Sequence, residues 1–119
     1  EVDNIVVTAG KGYVASRMKD ASATVMSHMA IGSGTTNPAA SDTAVETELG
    51  RVALTSTNVS SAVVTYVATF AAGTGTGAVT EAGILNASSG GTMLCRTEFS
   101  VVNKGSSDSM TITWTVTVS

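Results

Sequence analysis

General acid–base chemistry needs carboxyl groups brought together, and Glu81 and Glu98 offer one such pair. They lie on "AVTEAGILNA" and "TMLCRTEFSVV", β-prone segments joined by the turn "SSGG" at Ser88 to Gly91, so a hairpin sets them near each other. Nothing beside them in sequence supplies a metal, a substrate clamp or a raised pKa. Glu81 reads instead as a polar position at a strand start, paired with Arg51 or Arg96. Asp42, Glu46 and Glu48 make a second carboxylate group in "SDTAVETELGR", where Thr43 and Glu46 have capping-box spacing and acids favour a helix dipole. His28 is the single histidine, whereas metal clusters and catalytic pairs use several imidazoles, so its expected role is structural. With one histidine and no "GxSxG" elbow, no Ser-His-Asp arrangement can be argued. Cys95 is the single cysteine, which excludes an intrachain disulfide or a cysteine zinc site and points to a buried thiol.

Three glycine clusters raise the question of phosphate. A P-loop needs G-x-x-x-x-G-K-[ST], in which backbone amides hold phosphates while the lysine and hydroxyl serve phosphate and magnesium. "AGKGY" lacks the upstream glycine and the following hydroxyl, and "IGSGTT" has no lysine. "GTGTGAVTE" lacks the strand-to-long-helix setting of a dinucleotide site. The glycines read as turn geometry; no catalytic residue, cofactor or metal is expected.

The elements that would position these residues are short. The 119 residues fit one domain, 1–119, able to bury a core without staples. Hydrophobic residues make up 43% but aromatics only 4%, so the core rests on aliphatic side chains and methionine. Charged residues are 13%, against a usual value of about 25%, and serine and threonine fill the gap. A polar but weakly charged surface suits a protein held by neighbours. The net charge of −3 and the scattered Lys11, Arg17, Lys19, Arg51, Arg96 and Lys104 exclude a nucleic-acid footprint. No apolar run approaches the roughly 20 residues of a membrane helix, and no secretory signal is visible. The start at Glu1 rather than Met suggests that a short leader was removed.

Spacing predicts a helix over Lys11 to Lys19 and a strand over Ser22 to Gly32 that is covered on both faces. A two-turn helix is expected from Ser41–Thr43 to Gly50, with Val45 and Leu49 as its apolar stripe. Strands follow in "RVALTSTNVS" and in "AVVTYVATFAA", where Val64, Tyr66, Ala68 and Phe70 share a face; then come the glycine linker "GTGTG" and the hairpin. The last segment, "SMTITWTVTVS", has the cleanest period of two: Met110, Ile112, Trp114, Val116 and Val118 on the core face, Thr111, Thr113, Thr115 and Thr117 on the other.

Two blocks carry a resemblance. "MAIGSGTTNPAASDTAVETELGR" resembles a pattern of small tailed-phage virion proteins: a strand ending Ile-Gly-x-Gly, a proline loop, and a short helix ending Glu-Leu-x-Arg. "AVTEAGILNASSGGTMLCRTEFSVVNKGSSDSMTITWTVTVS" resembles their second half, with a Glu-Ala-Gly-aliphatic strand, a glycine-rich turn, an Arg-bearing strand and a Thr-rich final strand. The same order is similar to the N-terminal domain of phage tail-collar fibre proteins. The resemblance implies a non-enzymatic virion component: a capsid decoration (cement) protein, or else a tail-fibre or baseplate adaptor. The end at Ser119, with no shaft after the final strand, favours decoration.

The expected fold is therefore α+β and β-rich, mainly an antiparallel sheet or sandwich with one or two short helices. The expected partners are the major capsid protein or other virion proteins, and copies of the chain itself, as a trimer, on the particle surface. A small carbohydrate-binding module is the reading from another class, but Tyr13, Tyr66, Phe70, Phe99 and Trp114 mostly look inward rather than forming a glycan platform.

Overall fold

β-prone segments commit about half of the described residues to strands, and the computed structural model, which describes residues 4–19 and 24–118, pairs them into two antiparallel sheets. The elements are β1 (Asn4–Val6), α1 (Thr8–Lys19), β2 (His28–Gly32), β3 (Glu48–Ala53), β4 (Ser56–Ser60), β5 (Val63–Phe70), β6 (Gly77–Leu85), β7 (Met93–Lys104) and β8 (Met110–Thr117). One sheet has the order β1-β7-β6-β2-β3, the other β4-β5-β8. The fold is the expected β-rich α+β class.

The main core lies between the sheets. Met29, Ile31, Ala82, Ile84 and Cys95 of the larger sheet meet Tyr66, Ala68, Phe70 and Trp114 of the smaller. The two faces of β5 and β8 divide as their alternation requires: Trp114 is buried, while Thr111, Thr113, Thr115 and Thr117 are exposed. Val118 lies past the strand and is exposed, so it does not share the core face. The larger sheet is buried on its second face too, where Ala30, Leu85, Met93, Val7 and Val45 form a smaller cluster. β2 is thus covered on both faces, over a shorter span than expected; Ser22 and Ala23 lie outside the described residues.

Two local readings need correction. α1 starts at Thr8 rather than Lys11 and contains Gly10 and Gly12. A methyl at Gly10 would overlap the Leu94 backbone, so the glycine that weakens the helix locally lets it sit against β7. The helix expected near 41–50 does not form: 41–47 is a loop, and Glu48 already belongs to β3. Val45 enters the small cluster whereas Leu49 packs against the main core, so the two never share a helix face.

Candidate functional site

The loop between β2 and β3 wraps around one side chain. Strand register puts Glu48, Arg51, Glu81, Arg96 and Glu98 on the same face of the larger sheet, the face turned away from the smaller one. Glu81 is fully buried there. Its Oε2 accepts the N–H of Gly34 at 2.7 Å and of Thr47 at 2.8 Å. Its Oε1 accepts the N–H of Glu46 at 2.7 Å and Nε of Arg96 at 2.9 Å. Arg96 Nη2 lies at the same 2.9 Å from Oε1 without hydrogen-bond alignment, and Nη1 reaches Asp42 at 3.2 Å. Thr80 Oγ1 closes the arrangement by donating to the Gly34 carbonyl at 2.6 Å.

The "GSGTT" loop does cradle anions, and the anions are the protein's own carboxylates. Gly34 serves Glu81, while the Thr35 and Thr36 amides donate to Glu46 Oε1 and the Thr36 hydroxyl bonds its Oε2. Successive backbone N–H groups form such concavities readily. Methyls at Gly32 or Gly34 would collide with the Glu81 carboxylate, which explains glycine at both positions.

Burial pushes the Glu81 carboxyl up, but the Thr47, Glu46 and Gly34 amides and the Arg96 guanidinium outweigh it and hold it below its ordinary value. Bonds from Thr36, side chain and then backbone, likewise lower Glu46. With both Glu81 oxygens each accepting two hydrogen bonds, this ionised carboxylate has no free position for a substrate proton.

The other candidates separate. Glu98 is Glu81's register partner, as the hairpin implied, but it remains half-buried while Arg96 takes Glu81; of the two arginines considered for Glu81, Arg96 is the one used. Glu81 is mid-strand and sealed, not a polar position at a strand start. Asp42, Glu46 and Glu48 do not stabilise a helix dipole: Asp42 holds Arg96 and the Ala39 N–H, Glu46 holds the threonine amides, and Glu48 pairs with Arg51 at 2.7 Å. Arg51 also donates to the Ala87 and Gly90 carbonyls, bracing the β6–β7 turn. His28 Nδ1 lies 2.7 Å from Ser27 Oγ. Burial pushes the Cys95 thiol up to about 12. No cluster of three or more His, Cys, Asp and Glu suited to a metal occurs among the described residues.

The opposite outer face differs in kind. On β4, β5 and β8 it presents only serine, threonine, asparagine and valine: register sets Thr111, Thr113, Thr115 and Thr117 against Thr69, Val67, Thr65 and Val63, with Ser56, Asn58 and Ser60 beyond. Thr69 and Thr111 join hydroxyls across the strands at 2.9 Å. The sandwich thus has a charged side folded in on itself and a charge-free side. Comparison with protein-family models, curated proteins and solved structures finds no match.

The sequence concealed the Glu81–Arg96–Asp42 connection because its members lie far apart in the chain. Its one local signal is a glutamate flanked by buried-strand residues in "VTEAGIL", together with the Gly32/Gly34 pair that must approach it.

Proposed function

We propose that this chain is a structural component of a tailed-phage virion, a decoration protein that binds the assembled capsid and reinforces it across neighbouring subunits. The observation that supports the reading most is the charge-free outer face of β4, β5 and β8. Interface centres are depleted of charge, and such a face meets a protein lattice without stripping water from ions. The filled Glu81 cradle supports a non-catalytic role, because its hydrogen bonds hold a loop instead of awaiting a substrate. The resemblance of the two sequence blocks to small tailed-phage virion proteins supplies the particle.

Reinforcement follows from mass action: a protein that binds only the assembled shell stabilises it by RT ln(1 + [L]/Kd) per site, multiplied over a repeated lattice. The test is to strip the protein from filled heads and add it back. Stripped heads are expected to break at lower temperature or milder osmotic shock, and added protein to restore their resistance. Unchanged resistance after stripping refutes the reading.

A further inference from the structure

Between the two sheets, on the side where β1 and β8 end them, runs a groove of about 490 Å³. One wall is the unbroken run Met110–Thr115 of β8; Asn4 of β1 and Phe99 and Val102 of β7 contribute to the other. Successive strand residues point to opposite faces, so six consecutive residues can line a groove only where the strand is seen from its edge. β8 pairs with β5 along one side, and among the described residues nothing pairs with the other.

Sheet edges are normally blunted by shortness, charge, proline or bulges. Among the described residues β1 has three and β4 five, while β3 carries Glu48 and Arg51 beside a register shift. β8 has eight residues, an unbroken register, no charge and no proline. A second, independent observation lies in the same groove. Trp114 lines it at 6% exposure, and its indole Nε1 is a buried donor without an acceptor among the described residues. Buried donors are rarely left so.

We propose that the groove receives β8 of a second copy of this chain, added antiparallel across a two-fold axis, so that two three-stranded sheets become one of six. The charge pattern selects this occupant. Two-fold pairing sets an edge against itself, which brings like charges together on a strand that carries a single sign of charge, and β8 carries none. The pattern is also self-complementary: in the register centred on Thr113, Thr111 meets Thr115, Ile112 meets Trp114 and Met110 meets Val116. Core-face side chains of the added strand cover Phe99 and Val102, the latter 43% exposed in the single chain. The added backbone brings carbonyl acceptors to the wall that holds Trp114.

The test is sedimentation of the purified chain between about 1 μM and about 1 mM, the range over which weak and moderate complexes assemble. The expected particle has twice the 11.9 kDa mass of one chain. Because Trp114 is the only tryptophan, its indole N–H gives one resonance, which is expected to move with concentration along the same curve. Thr113→Lys, at an exposed position, should return the chain to a monomer with an unshifted indole, and its melting temperature should match the parent's only at the lowest concentrations, where the parent is also dissociated. A monomer throughout, a trimer, an indole resonance that ignores concentration, or a Thr113→Lys chain that still dimerises overturns the proposal. None of these outcomes bears on capsid binding.

Discussion

Glu81→Gln is the sharpest perturbation of the cradle, because it keeps the shape of the side chain and removes its charge. Each Glu81 oxygen accepts two donors: Gly34 and Thr47 on Oε2, Glu46 and Arg96 on Oε1. In glutamine one of those positions becomes an NH2 group, so two donors lose their acceptor whichever way the amide turns. Two orphaned buried donors cost about 1–3 kcal/mol each, and removing one partner of a buried ion pair costs about 3–5 kcal/mol. These counts overlap, and Asp42 still faces Arg96, so a net loss of about 3–5 kcal/mol is expected. For a domain of this size that lowers the melting temperature by roughly 10–20 °C. The pH dependence gives a second readout with a definite sign. A carboxyl held below its ordinary value in the folded state adds stability that is complete above that value, 4.5 for this group, and lost as pH falls through the lowered one. Acidification below pH 4.5 should therefore melt the parent progressively, and the glutamine variant should show a shallower slope. Differential scanning calorimetry of both chains from neutral to acid pH measures both effects. A variant that melts within a degree or two of the parent, or keeps the parent's acid slope, refutes the claim that Glu81 holds the loop.

Other outcomes follow from the core. Trp114→Ala removes the largest side chain bridging the sheets and should cost about 3–5 kcal/mol, enough that a melting curve indistinguishable from the parent's would contradict its placement. Burial raises the Cys95 thiol from 9.0 and the Tyr66 phenol from 10.0, both to about 12. Each is an acid kept neutral by the fold, so stability should be complete below pH about 9 and decline as pH rises towards 12. A thiol reagent at pH 8 should label Cys95 only on unfolding; stoichiometric labelling of the native chain would refute its burial.

What could be read from the sequence was what repeats locally. β5 and β8 announce themselves because every second residue faces the core, and the β6–β7 hairpin because "SSGG" permits the positive φ observed at Gly90 and Gly91. The loop before β3 departs from the helix its sequence predicts for a physical reason. Val45, Leu49 and the Thr43/Glu46 spacing satisfy helix rules within nine residues, but the donors of Glu46 and Thr47 are claimed by Glu81, which lies 35 and 34 residues away. A fully buried carboxylate outweighs a marginal two-turn helix. The groove along β8 was equally hidden: alternation tells which face of a strand is core, and nothing in a single strand tells which strand ends the sheet.

Copy number on the particle distinguishes the proposed capsid decoration from its alternatives. Virions found to contain the chain would be separated into heads and tails, and the chain quantified in each fraction against the major capsid protein. Decoration predicts that it stays with the heads, in numbers comparable to the repeated sites of the capsid. A few copies per particle, or recovery only with the tails, contradicts the claim and assigns the chain to a tail-fibre or baseplate adaptor instead.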